Sequence, residues 1–297
     1  MSLRLAPLAL LLAAHVAAAQ ASTETVFPDL ACSSFEWIHT DEVERAAIVV
    51  PVVLDGESYR LQLDTGADYS MVYGDIADQR GWPVIGGFPR LVPSAEIGGM
   101  SLGPVHMLQN AGMSTDEGIH GTLGLDALVG KLTVIDYPGQ RFCVMERGAA
   151  TDAVWMETVW SPAELRNGKL FLPVTLDGEP LDALAFDTGS SASALFVDYE
   201  PWLAITGAAD STDATSRWVG TAWGREITVA GRPIEGRLQI GARIVPSEFA
   251  SAYTELTDPE DFAGWPFPIG GLVGNAGLWD RVVVLDLGVS TRFGVVR

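Results

Sequence analysis

Three short blocks of this 297-residue chain occur twice in the same order, and that duplication constrains the fold more than any other feature. Val50-Pro51-Val52-Val53-Leu54-Asp55-Gly56-Glu57 returns 122 positions later as Leu172-Pro173-Val174-Thr175-Leu176-Asp177-Gly178-Glu179. Leu63-Asp64-Thr65-Gly66-Ala67 returns as Phe186-Asp187-Thr188-Gly189-Ser190, a shift of 187 − 64 = 123. Gly121-Thr122-Leu123-Gly124 and Val134-Ile135-Asp136 return as Gly271-Leu272-Val273-Gly274 and Val284-Leu285-Asp286, a shift of 150. The second copy therefore carries 150 − 123 = 27 more residues between its middle and last blocks, expected within Tyr199–Trp265.

The residues around the blocks read as strands. Ala47–Leu54 and Leu170–Leu176 are rich in branched apolar side chains, and Asp55-Gly56 and Asp177-Gly178 supply hairpin turns. Tyr59–Leu63 alternates as a half-buried strand does. Thirty-two glycines and seventeen prolines punctuate the chain, and long amphipathic helical patterns are scarce. Short helices are expected near Asp126–Gly130 and Ser247–Leu256. The expected fold is all-β, two related β lobes with a cleft between them. Residues 20–150 would form the N-terminal lobe and 151–297 the C-terminal one, joined at Arg147–Thr151 or at Pro162–Gly168.

Residues 1–19 combine Arg4, a short apolar run and small residues before Gln20, the pattern of a cleavable export signal. Export to the periplasm or the extracellular medium is the expectation, with no stable membrane span. The net charge of −20 repels phosphate backbones and argues against a nucleic-acid partner. In an oxidising compartment the two cysteines, Cys32 and Cys143, read as one disulfide. Cys32 precedes the first strand and Cys143 lies in the closing strand of the first lobe, where terminal strands meet; two free thiols are the other reading. No metal-ligand spacing is present, and neither a metal nor a cofactor is expected.

Asp-Thr-Gly occurs twice at matching places, each time after an apolar strand. A single copy fits an ordinary turn, but two in a duplicated frame form a pattern. Asp64-Thr65-Gly66-Ala67-Asp68 resembles the active-site loop of retropepsins, and Asp187-Thr188-Gly189-Ser190-Ser191 resembles that of pepsin-like aspartic proteases. Thr122-Leu123-Gly124 and Leu272-Val273-Gly274 are similar to the segment that supports the loop in those families. The resemblance implies a bilobal pepsin/retropepsin-like fold and aspartic endopeptidase activity on a peptide or protein substrate, in a monomer. It implies Asp64 and Asp187 as catalytic residues, one ionised as the base that activates water, the other protonated toward the scissile carbonyl. Thr65, Gly66, Ala67, Thr188, Gly189 and Ser190 would support the dyad, the two threonines by hydrogen bonds across the lobes.

The chain departs from the pepsin pattern in having no Tyr between Gly74 and Asp136 for a flap over the cleft. Either Trp82 or Phe88 takes that place, or the cleft is covered in a retropepsin-like way. Trp202, Trp218, Trp223 and Trp265 read either as an apolar substrate pocket or as local core. Gly99-Met100-Ser101-Leu102-Gly103 fits a serine-hydrolase elbow, but Pro104 follows at once, and a turn is the better reading. The rival from another functional class is a catalytically silent or highly restricted relative of the same fold that binds peptides or proteins.

Overall fold

A computed structural model describes residues 26–87, 89–115, 118–222 and 225–297. The expected export signal, Phe88 and Trp223 lie outside the described residues. The protein is mostly β, in two related lobes of the pepsin/retropepsin-like fold. The two expected hairpins form, Ala47–Leu54 with Glu57–Leu63 and Val174–Leu176 with Glu179–Leu181. Their turn residues all take positive φ (Asp55 50°, Gly56 79°, Asp177 53°, Gly178 91°), the left-handed pair that matches the twist of a two-residue hairpin.

In the first lobe the Gly121–Leu123 strand lies between Glu57–Leu63, to which it is parallel, and Met71–Tyr73, to which it is antiparallel. The second lobe repeats this with Gly271–Val273 between Leu184–Phe186 and Leu195–Phe196. The registers match the sequence shifts: Leu123 lies opposite Leu63, and Val273 opposite Phe186. Gly121–Leu123 is buried throughout and Gly271–Val273 except at half-buried Leu272, which the absence of charge in both segments permits.

The lobes share a six-stranded sheet, in which Leu132–Asp136 pairs antiparallel with Val282–Asp286. Val134 faces Val284, its own counterpart at a shift of 150, so the pseudo-twofold axis of the duplication passes through this pair. Every residue of both strands is buried. Ser33–Ser34 adds to the outer edge beside Arg141–Phe142, and Cys32 is bonded to Cys143, with 4.2 Å between their Cα atoms.

Two local expectations are corrected. Asp126–Gly130 does not form an α-helix; a single 3₁₀ turn, Leu125–Ala127, stands there. Ser251–Glu255 is a strand rather than a helix, held between Leu195–Phe196 and Arg225–Pro233, where its alternating burial gives each face a neighbour. The longest helix among the described residues is Tyr199–Thr206, packed on that strand, with the Trp202 indole N–H donating to the Ala252 carbonyl at 3.0 Å.

The structure also exposes a fourth repeated block. The Ala95–Ile97/Met100–Leu102 hairpin, whose turn is Gly98-Gly99, pairs on Val52–Leu54 as Leu238–Ile240/Arg243–Ile244 pairs on Val174–Leu176. Ile97 and Ile240 take the same place, a shift of 240 − 97 = 143. Most of the added length, 143 − 123 = 20 residues, thus precedes this block, in the stretch that holds a longer helix, Tyr199–Thr206 against Ile76–Gln79 in the first lobe, and the long hairpin of Ser216–Ala222 with Arg225–Pro233.

Candidate functional site

Each Asp-Thr-Gly loop begins where its strand ends, clamped by the neighbouring parallel strand. The Asp64 amide donates to the Leu123 carbonyl (3.0 Å), and the Leu125 amide returns to the Ala67 carbonyl (2.9 Å). The second lobe repeats both contacts, Asp187 to Val273 (2.9 Å) and Asn275 to Ser190 (3.1 Å). Loop geometry is therefore set by backbone hydrogen bonds buried from water, which makes it stiff.

Thr65 and Thr188, both fully buried, lock the loops together. Each backbone amide donates to the other's hydroxyl at 3.0 Å. Each hydroxyl donates across the interface, Thr65 Oγ1 to Phe186 O (2.8 Å) and Thr188 Oγ1 to Leu63 O (2.9 Å). Four reciprocal bonds satisfy every donor of this buried pair.

Gly66 and Gly189 are where the two loops touch. A Cβ on Gly66 would lie 2.5 Å from the Asp187 carboxyl carbon, and one on Gly189 would lie 2.9 Å from that of Asp64. Each glycine therefore packs against the opposite lobe's carboxylate, a close approach that no side chain permits. Asp64 is buried and Asp187 half-buried. Asp64 Oδ1 accepts the Ala67 amide (3.0 Å), and Asp187 Oδ1 accepts the Gly189 amide (2.8 Å). Ser190 holds its loop through its backbone, its amide donating to the Asp187 carbonyl at 3.1 Å.

Burial drives the Asp64 carboxyl well above the ordinary carboxylate value, the Asp187 charge adds to the shift, and a hydrogen bond between the two carboxyls completes it. The Ala67 and Gly66 amides pull the other way and do not prevail. The Asp64 carboxyl is thereby disposed to keep its proton beside Asp187. One oxygen can then donate and its neighbour accept, the complement of a peptide N–H and C=O.

Three residues absent from the sequence expectations complete the site. Lys169, one of only two lysines in the chain, is buried at the start of the Lys169–Phe171 strand, where the first lobe has Ala47. Its ammonium donates to the Gly66 carbonyl at 2.5 Å and pairs with Asp68, and it lies 5.3 Å from the Trp265 ring centroid. A lone lysine in an apolar strand start of an acidic chain was a readable signal. On the other side, Asn275 Nδ2 donates to the Thr188 carbonyl (2.8 Å) and to Ser191 Oγ (2.6 Å), while its Oδ1 accepts from Tyr137 Oη (2.7 Å). Nothing in the spacing of Tyr137 and Asn275, 138 positions apart, announces that contact.

The tryptophans divide. Trp82 is 2% exposed and donates to Asp55 Oδ2 (3.2 Å) behind the first hairpin, so it is no cover for the cleft. Trp202 is core; Trp218 packs on Tyr253, and Trp265 is half-buried beside Lys169.

No family model matches the chain, and no curated protein does. Among solved structures it is similar to conglutin gamma, a basic 7S globulin from lupine seeds, with a TM-score of 0.51 at 10% identity over 91% of this chain and 95% of that one. A basic 7S globulin from soybean aligns over 90% and 94%, with a TM-score of 0.48 and 8% identity. The lupine likeness shows the fold. It also corrects two expectations drawn from the motifs, membership of the aspartic protease families and active aspartic endopeptidase function. The solved protein that shares this two-lobed architecture is named a seed globulin, and a fold hosts unrelated functions. What the motifs encode is a fold and a matched pair of carboxyls; peptidase activity is not assigned.

Among the described residues no helix is long and apolar enough to cross a membrane. The Cys32–Cys143 bridge fits export to an oxidising compartment.

Proposed function

We propose that this is an exported, catalytically silent binding protein that takes an extended peptide, or an extended segment of a protein, between its lobes. The observation that carries the reading is the facing of the Asp64 and Asp187 carboxyls at the lobe junction, held there by loops from both halves, with the Asp64 carboxyl raised by burial. Such a pair offers a donor and an acceptor side by side in a desolvated place, where hydrogen bonds to a peptide backbone gain strength. The likeness to a globulin of the same fold supports binding over turnover.

The test is a mixed peptide library incubated with the protein across pH 3–8, read both for retention and for new termini. Retention without cleavage, weakened at least tenfold in Asp64→Ala and Asp187→Ala, which remove the donor or the acceptor, is the expected result. Cleavage that disappears in both variants would overturn the reading, and so would failure to retain any peptide.

A further inference from the structure

The first lobe contains a cavity of about 300 Å³. It opens between the Ala95–Ile97/Met100–Leu102 hairpin and the Leu125–Ala127 turn. Val52, Leu54, Ile97, Leu102 and Leu123 make an apolar floor, with Asp126 at the edge. That volume is at the small end of the range of pockets that hold organic ligands.

The second lobe shows what closure of the same space takes. Gly277 stands at the position of Ala127, and a Cβ there would lie 2.9 Å from Ile240 Cδ1, with Ala194 and Val245 close behind. Arg243, at the position of Met100, is 4% exposed; it donates from Nε to the Gly277 carbonyl at 2.6 Å and pairs with Asp280 at 2.5 Å. All four residues of the Asn275–Leu278 turn are buried there. In the first lobe Leu125 alone of the Leu125–Ala127 turn is buried, and residues of both hairpin and turn line the cavity.

Asp126 gives the cavity its chemical character. Its Oδ1 accepts the Ser70 amide (2.8 Å), the Ser70 hydroxyl (2.7 Å) and the Ala127 amide (2.9 Å). Its Oδ2 has no partner among the described residues. Asp126 stands at the solvent-exposed mouth of the cavity, yet the crowding of the walls around it raises its carboxyl above the ordinary range against the pull of those three donors; a cationic partner would favour its ionised form. The other charged group at the rim, Lys131, is already paired with Glu146 at 2.7 Å, and His106 is exposed. The chain carries a net charge of −20, which disfavours anionic ligands.

We infer that this cavity is a binding site for a small primary amine, its alkyl or ring portion on the apolar floor and its ammonium on Asp126 Oδ2. The site is independent of peptide binding between the lobes. It is nonetheless wired to the first Asp-Thr-Gly loop: Ser70 Oγ accepts the Gly124 amide at 3.0 Å, and Leu125 holds the Ala67 carbonyl.

The experiment is titration of the full chain at pH 7 and low salt with n-hexylamine, and separately with hexanoate, followed by calorimetry and amide chemical shifts. Saturable one-to-one binding of hexylamine is expected, with shifts centred on Ser70, Ile97, Leu102 and Asp126. Hexanoate should bind at least tenfold more weakly. Asp126→Asn keeps an acceptor for Ser70 and should weaken hexylamine at least tenfold. Ala127→Leu fills the space and should abolish saturation while circular dichroism and the melting midpoint show an intact fold. No saturable binding of hexylamine would overturn the inference, as would equal or tighter binding of hexanoate. So would hexylamine affinity unchanged in either folded variant.

Discussion

The two Asp-Thr-Gly loops are the same object at their centre and different objects one layer out. At the centre, Thr65 and Thr188 exchange matched hydrogen bonds of 2.8 to 3.0 Å, and each glycine abuts the opposite carboxylate. One residue further the halves part. The first loop presents Asp68 to the buried ammonium of Lys169, whereas the second presents Ser191 to the neutral amide of Asn275, which in turn anchors Tyr137. Symmetry is kept where two carboxyls must be held at one separation. Around that centre each lobe solves its own burial problem, one with an ion pair and one with a neutral network.

The largest effect that would sharpen this contrast lies at the edge of the first lobe. Its outer strands are tied by a disulfide closing 111 residues, and the second lobe has no such tie. Replacing both cysteines by serine should cost about 4–5 kcal/mol in the chain-entropy account. Denaturant titration would read it, and an unchanged midpoint would mean that the first lobe does not depend on its staple.

Next comes the pair of outer contacts. Asn275→Leu, which copies the first-lobe residue Leu125, leaves the Tyr137 hydroxyl buried without an acceptor and should cost about 2–4 kcal/mol. Tyr137 is fully buried, and that burial holds its hydroxyl far above the ordinary range, so ionisation offers no escape. Lys169→Met should cost less, about 1–2 kcal/mol, because Asp68 is 41% exposed and water can take over its hydrogen bonds. If the lysine change proved the costlier, the ion pair rather than the neutral network would be the firmer contact.

The threonines test the symmetric centre. Thr65→Val and Thr188→Val each remove two cross-lobe bonds of the same kind and should cost about 1–3 kcal/mol apiece. Their midpoints should agree closely, and because each change removes a different pair of the four bonds, the departure of the double variant from the sum measures coupling between the touching loops. A gap of more than about 1 kcal/mol between the two would break the claim of equivalence.

The smallest effect near pH 4 grows with pH. The Asp64 carboxyl is raised in the folded protein, so folding binds its proton more tightly than the unfolded chain does. The stability this contributes is fully present below the ordinary value of 3.8 and is lost as pH rises through the raised value. Asp64→Asn cannot titrate. Its melting midpoint relative to the parent should therefore climb steadily above pH 4, and parallel profiles would show that burial and Asp187 do not perturb Asp64.

Much of this was legible in the residues themselves. Asp55-Gly56 and Asp177-Gly178 declared their hairpins because only left-handed turn residues allow a two-residue connection. The shifts of 123 and 150 anticipated which strands would lie opposite one another. The fourth block was missed because Ala95-Glu96-Ile97-Gly98 and Leu238-Gln239-Ile240-Gly241 share little beyond one isoleucine and one glycine; their equivalence lies in pairing. Ser251–Glu255 was misread as helical because an edge on both sides, not local preference, makes it a strand. Trp82, one of the alternatives its position between the motifs allows for the cleft cover, packs behind Asp55 instead.

The sequence by itself determined that the chain is a doubled β unit with two Asp-Thr-Gly turns, because repeats, turn residues and apolar strands are local facts. Only the tertiary structure decided that Lys169 reaches Gly66 and Asp68, that Tyr137 reaches Asn275, and that the first lobe keeps a cavity where Arg243 fills the second. Those contacts join residues up to 138 positions apart. Their strength comes from exclusion of water at an interface that does not exist until both lobes have folded.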